Sequence, residues 1–279
     1  MTTVEIFEVG PRDGLQNEKA EIATSDKIAL VDLLSTAGFK RIEVASFVSP
    51  KWVPQMADSA QVLEGIIRVP GVSYAALTPN MRGLEGAIAA QADEVAVFAS
   101  ASEGFSKANV NATIAESLAR FAPIMDAAPM PVRGYVSCVA ECPYDGATDP
   151  ADVAKVVAEL VAMGCYEVSL GDTIGRATPE QIDAMLKAVT DVCPAEKLAG
   201  HFHDTSGRAL LNIDVALSHG VRVFDAAVGG LGGCPYAPGA AGNVATEAVL
   251  AHAERAGYTT GLNADIIARA GQMALAMRG

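Results

Sequence analysis

What most constrains this chain is an alternation. A short run rich in β-branched and aromatic residues is followed, eight times over, by an amphipathic stretch of helical period. The pattern predicts strands at Val4–Val9, Arg41–Ser46, Val72–Leu77, Glu94–Ala99, Val132–Ser137, Tyr166–Leu170, Leu198–His203 and Val223–Val228. It predicts helices at Ser25–Ala37 (with Ser25 as cap), Gln55–Arg68, Met81–Ala90, Thr113–Ala127, Pro150–Met163, Pro179–Val192, Gly207–Ser218 and Val244–Ala256. Strict alternation implies parallel strands joined by right-handed crossovers, and eight such units in 279 residues match a closed (β/α)8 TIM barrel. An open doubly wound sheet would want a Gly-x-Gly-x-x-Gly turn after an early strand. The first turn reads Gly10-Pro11-Arg12-Asp13-Gly14 instead. With no linker or low-complexity stretch, 1–279 are read as one barrel domain, and Leu262 to Met277 as one more helix packed on its outside.

Composition narrows the partners. Hydrophobic residues make up 51% of the chain, ample for a barrel core. A formal net charge of -13, with no cluster of lysines or arginines, argues against nucleic acid and anionic membrane surfaces. Any anionic ligand must therefore be met by a few well-placed cations. Five cysteines, odd in number and irregular in spacing, fit reduced thiols, and Cys138-x3-Cys142 reads as buried thiols rather than a metal clip. The start, Met1-Thr2-Thr3-Val4-Glu5-Ile6, has neither a signal peptide nor an arginine-rich leader, and no apolar run is long enough to span a bilayer. A cytoplasmic protein is expected.

Barrel enzymes place reactive groups at the carboxyl ends of the strands, and the polar residues of this chain fall there. The seventh predicted strand carries His201 and His203, which alternation puts on one face, about 6 to 7 Å apart along the strand. Two imidazoles so placed can grip a divalent cation, or serve as hydrogen-bonded structural histidines. Asp13, in the first loop, offers a hard oxygen ligand, although it can also cap a turn or pair with Arg12. Asn243 ends the glycine-rich loop after the last strand, and its amide oxygen is a reasonable fourth ligand. Two imidazoles and two oxygens suit an octahedral Mg or Mn ion with positions open to substrate. Arg12 presents a permanently charged fork suited to an enolate or carboxylate oxygen, its plainer role being a surface ion pair with Glu8 or Glu43. Cys234, between Gly233 and Pro235, has more claim to reactivity than the other four cysteines because its loop is too glycine-rich for a packed core.

These residues lie in segments that resemble one family. Val9-Gly10-Pro11-Arg12-Asp13-Gly14-Leu15-Gln16-Asn17-Glu18, the run Ser46 to Met56, Ser169-Leu170-Gly171-Asp172-Thr173-Ile174-Gly175 and the Cys234 loop ending in Asn243 are together similar to hydroxymethylglutaryl-CoA lyases. The resemblance covers nearly the whole chain. It implies that Asp13, His201, His203 and Asn243 bind the divalent metal, Mg or Mn. It implies also that Arg12 steadies an acetyl-CoA enolate, that Cys234 transfers a proton, and that Glu43 supports Arg12 and the metal site. Gln16, Ser46, Tyr135, Ser169, Asp172 and Thr173 correspond to positions near the acyl group. A homodimer is expected as well. Two departures stand out: Ala241 replaces a frequent serine, and the chain stops at Gly279 without the cysteine-bearing tail of animal forms.

The implied reaction cleaves 3-hydroxy-3-methylglutaryl-CoA to acetyl-CoA and acetoacetate, a step used in leucine degradation and ketone-body formation. It needs a base for the tertiary hydroxyl and an acid for the enolate. Cys234 is the candidate acid, while Asp13, His201, His203 and a metal-held water compete as base. The nearest alternatives are a lyase for a longer 3-hydroxy-3-alkylglutaryl-CoA, such as the isohexenyl compound, and a non-catalytic acyl-CoA or metal binder. A condensing synthase is disfavoured, because such chains add a long C-terminal portion.

Overall fold

The computed structural model describes residues 2–232 and 242–278. Eight parallel strands close into the expected barrel: β1 (Glu5–Glu8), β2 (Arg41–Ser46), β3 (Ser73–Leu77), β4 (Glu94–Ser100), β5 (Val132–Ser137), β8 (Val168–Asp172), β9 (Leu198–Phe202) and β10 (Val223–Ala226). Between β5 and β8 a small antiparallel hairpin is formed by β6 (Glu141–Cys142) and β7 (Gly146–Ala147). Around the circle the order is β1-β10-β9-β8-β5-β4-β3-β2, and closure brings β1 against β2. The outer ring holds α1 (Thr24–Ser35), α2 (Ser59–Gly65), α3 (Met81–Ala89), α4 (Glu103–Val110), α5 (Ile114–Ala127), α6 (Pro150–Met163), α7 (Pro179–Thr190), α8 (Ala209–Ser218) and α9 (Thr246–Arg255). The extra helix α10 (Ala264–Ala276) packs on α1 and on the turn Val228–Gly230. Among the described residues, no helix is long and apolar enough to cross a membrane.

Two layers of side chains fill this frame. Between sheet and helices lies one continuous apolar core, including Ile6, Leu30, Val44, Val95, Leu160, Val168, Ile213 and Val249. Inside the barrel, the lower layer is ionic. Arg133 donates to Glu167 and Asp225, and Arg41 donates to Glu5, Glu167 and the Tyr166 hydroxyl. Phe7 stacks under both guanidinium groups, at 4.4 Å from Arg133 and 4.9 Å from Arg41. Charges this deep are tolerated because each is matched by opposite charge and by hydrogen bonds.

Several expected elements end elsewhere than local pattern suggests. Helix α1 begins at Thr24 rather than Ser25, and its capping position is Ala23, which makes no side-chain cap bond. Asp58, which Thr24 and Lys27 engage, precedes a short α2, so the stretch expected at Gln55–Arg68 divides into a 3-10 turn at Pro54–Met56 and a helix at Ser59–Gly65. The sixth barrel strand is Val168–Asp172, two residues later than expected, and its neighbour ends at Phe202, leaving His203 to bridge Asn243. Helix α4 was not anticipated. Its signals are short but readable: Ser102 accepts from the Phe105 amide at the start, and Asn111 closes it in the left-handed region at φ 49°.

Glu8 shows how the barrel ties its first strand to its last. Its carboxylate accepts from the Gly10 and Val228 amides and from the Thr246 hydroxyl, at 2.8, 3.0 and 2.6 Å. Burial pushes its pKa from the ordinary 4.5 up to about 7 against those same bonds. With the folded value above the unfolded one, its stabilising contribution is complete below about pH 4.5 and is lost as pH rises through about 7. Between pH 4.5 and 8, wild type is therefore expected to lose about 3 kcal/mol more stability than Glu8→Gln. Urea unfolding of both proteins at the two pH values measures this difference, and parallel losses would remove Glu8 as the cause.

Candidate active site

Asp13 and Arg12 reach the barrel mouth through a single wide helical turn, Gly10–Gly14, in which the amides of Arg12, Asp13 and Gly14 all point at the Val9 carbonyl. That turn projects two consecutive charged side chains inward. It fits only because position 14 is glycine, since a β-carbon there would stand 2.7 Å from that of Leu231. His201 stands on β9, and His203 follows one residue past its end. Asn243 arrives from far along the chain, where Gly242–Ala245 inserts between the ends of β9 and β10: Val244 donates to the Phe202 carbonyl and accepts from Ala227.

The four expected ligands converge. Asp13, His201 and His203 each offer a ligand atom within 4.8 Å of the others, so the triad can hold a metal ion. The two Nε2 atoms of His201 and His203 lie 3.3 Å apart, and His201 Nε2 is 3.8 Å from Asp13 Oδ2. On its other nitrogen, His201 meets Asp225 Oδ2 at 3.0 Å. Two imidazole nitrogens aimed at one point beside a carboxylate suit a cation better than they suit each other. Asn243 lies beside them, but its Nδ2 faces inward, donating to Asp13 Oδ2 at 2.8 Å and to the Leu231 carbonyl at 3.2 Å. Gly232 is confined by that amide: its φ is 104°, and a β-carbon would stand 2.8 Å from Asn243 Nδ2.

Arg12 is no surface residue. It is 5% exposed, its Nε donates to Glu43 Oε2 at 2.5 Å and its Nη1 to Asp13 Oδ1 at 2.5 Å, so the guanidinium links two carboxylates. The Glu8 pairing considered from sequence is replaced by the amide and hydroxyl contacts described above. For Asp13, burial alone raises the pKa, but Arg12, then His201 and His203, pull it down to about 2. Burial and the neighbouring His201 push His203 down to about 4, so it is a neutral imidazole at pH 7. Glu43 is fully buried, which raises its pKa despite Arg12, and its Oε1 has no partner.

The positions expected near the acyl group divide. Gln16 donates to Asp13 Oδ1 at 3.1 Å, and the Tyr135 ring lies 5.7 Å from Arg12 and edge-on to His201, with its hydroxyl unpartnered. Ser169 points to Asp225 Oδ2 at 2.8 Å, below the cluster. Ser46 is buried, its hydroxyl accepting from the Val48 amide. Asp172 caps its own loop by accepting from the amides of Gly175, Arg176 and Ala177, and burial still raises its pKa to about 6. Thr173 accepts from the Cys138 amide. Cys234 and Ala241 lie outside the described residues. Asp225 escaped the sequence reading, although a charged residue inside the apolar strand Val-Phe-Asp-Ala was the available signal. A surface hollow of about 770 Å³ between α5 and α6 shares no lining residue with the cluster.

A parallel barrel with a carboxylate, paired imidazoles and a caged guanidinium at the carboxyl ends of its strands is an enzyme of the (β/α)8 class. Comparison with known proteins narrows the class. A family model described as HMGL-like matches residues 3–274. A 3-hydroxy-3-isohexenylglutaryl-CoA/hydroxy-methylglutaryl-CoA lyase of Pseudomonas aeruginosa is 56% identical over 279 residues, 99% of this chain and 93% of that protein. The mitochondrial hydroxymethylglutaryl-CoA lyase of Gallus gallus is 56% identical over 263 residues, 93% of this chain and 88% of that one. The crystal structure of the HMG-CoA lyase from Brucella melitensis matches with a TM-score of 0.99 at 59% identity, covering 100% of this chain and 99% of that one. The chain belongs to the HMGL-like family.

Proposed function

We propose that this protein is a divalent-metal-dependent carbon–carbon lyase that cleaves 3-hydroxy-3-methylglutaryl-CoA into acetyl-CoA and acetoacetate, with 1–279 as one catalytic barrel. The observation that carries the reading is the cluster of Asp13, His201 and His203 beside Arg12 at the barrel mouth, in a chain of this family. Asp13, His201 and His203 would hold the cation, and Asn243 would join them once its amide turns its oxygen inward. A bound Mg or Mn ion supplies Lewis acidity toward substrate oxygens.

The chain's own groups do the rest. The hydroxyl proton leaves to a basic group of the cluster, the bond between C2 and C3 breaks, and its electron pair stays on the acetyl-CoA side as an enolate. Arg12, already fixed by Glu43 and Asp13, stabilises that developing oxyanion without having to reorganise. Gln16 and Tyr135 line the same space, and Cys234 is assigned the proton that converts the enolate to acetyl-CoA. Four buried free thiols among the described residues, Cys138, Cys142, Cys165 and Cys193, support a reducing, cytoplasmic setting. A homodimer is the proposed assembly.

The shorter acyl chain is preferred here because bacterial and animal relatives share the hydroxymethylglutaryl name at similar identity. The test is a coupled assay of acetoacetate release from the hydroxymethylglutaryl and isohexenylglutaryl thioesters. Turnover of the first is expected, abolished by chelator and restored by Mg or Mn. Turnover that survives exhaustive chelation would refute the metal role, and a faster isohexenyl substrate would overturn the substrate assignment.

A further inference from the structure

We infer that Asp225 is a positioning residue that fixes His201 as the tautomer protonated on Nδ1 and so presents its bare Nε2 to the barrel mouth. The inference rests on the reading that a divalent cation binds there. Asp225 lies on β10, in register with His201 on the neighbouring strand, and is 1% exposed. Its carboxylate is saturated. Oδ1 accepts from Arg133 Nη2 at 2.7 Å, while Oδ2 accepts from Arg133 Nη1 at 3.0 Å and Ser169 Oγ at 2.8 Å and faces His201 Nδ1 at 3.0 Å. An ionised carboxylate has no proton to give, so the hydrogen in the His201 contact must come from the imidazole.

Asp225 is ionised for a structural reason. Arg133 cannot deprotonate, is equally buried, and clasps both carboxylate oxygens in a bidentate fork. Arg133 is in turn anchored through Nε to Glu167 at 2.7 Å, and Glu167 is held by Arg41. A rigid ionic column thus rises through the barrel interior and ends on one imidazole. His203 has no such column behind it: among the described residues no carboxylate meets its Nδ1, and the Thr173 backbone is what its imidazole faces. The two histidines therefore differ in what backs them, His201 resting on a buried carboxylate and His203 on backbone.

The closing experiment separates this role from simple core packing. Nitrogen-15 NMR of the metal-free wild type, at a pH where the imidazole is neutral, is expected to show His201 protonated on Nδ1. Protonation on Nε2 would overturn the proposal whether or not any variant folds. In Asp225→Asn, an amide cannot satisfy His201, Ser169 and both arms of Arg133 together. The tautomer should become mixed, and affinity for Mn, titrated by its electron paramagnetic resonance signal, should fall about tenfold to a hundredfold. Glu167→Gln damages the same column one step lower, so it should cost stability yet leave the tautomer unchanged and Mn affinity within about twofold. Equal effects of the two substitutions on tautomer and affinity would reduce Asp225 to packing. Wild type that binds no Mn while keeping the Nδ1 proton would sink the metal reading and leave Asp225's hold on His201 standing.

Discussion

Arg12→Lys is expected to lower kcat by roughly 10²- to 10³-fold although the charge is kept. The guanidinium spans Glu43 and Asp13 at once, through Nε on one side and Nη1 on the other. An ammonium is a point donor and cannot bridge two carboxylates while also facing a third oxygen. Glu43, fully buried, already carries an oxygen without a partner, and loses its strongest contact in the variant. Breaking a buried pair of this kind costs about 3–5 kcal/mol of stability, so chemical unfolding must be measured beside steady-state kinetics. A folded variant with near-normal kcat would remove Arg12 from the proposed chemistry.

His203→Ala is the second large effect, and the cleaner one. Asp13 is bonded to Arg12, so removing Asp13 also unseats the guanidinium, whereas the His203 imidazole meets His201 rather than Arg12. The substitution should leave the Arg12 pairings in place while lowering affinity for Mg and Mn by more than about a hundredfold. Loss of a ligand ought to exceed the tenfold to hundredfold typical of a residue one shell out. Metal analysis of the purified variant, with circular dichroism to establish folding, reads the outcome. Full occupancy in the folded variant would take His203 off the ligand set.

Much of this was legible before any coordinates. The strand and helix alternation is written in local periods, and it located all eight barrel strands to within about two residues at most ends, as at Arg41–Ser46 and Val132–Ser137. His201 and His203 share a face because they are two apart on or just past a strand, which needs no tertiary information. Asp13 was recoverable from its place directly after β1. Elements whose limits depend on partners elsewhere were not. The break between Pro54–Met56 and α2 involves Asp58, whose carboxylate is engaged by Thr24 and Lys27 from another helix. The short α4 carries too few turns for a periodic signal, so only its cap at Ser102 and its left-handed Asn111 mark it.

The sequence by itself determined a closed parallel barrel and which residue types reach its mouth, because both follow from periods of two and 3.6 that act over a dozen residues. Only the tertiary structure decided the pairings. Closure of β1 on β10 sets Asp13 against Asn243 across 230 positions, and the register of β9 against β10 puts Asp225 beneath His201. The same closure turns Arg12 from a candidate surface charge into a buried bridge. The physical reason is that a hydrogen bond is fixed by where two backbones are held in space. In a barrel that is set by strand order and shear, which no local pattern of one chain segment encodes.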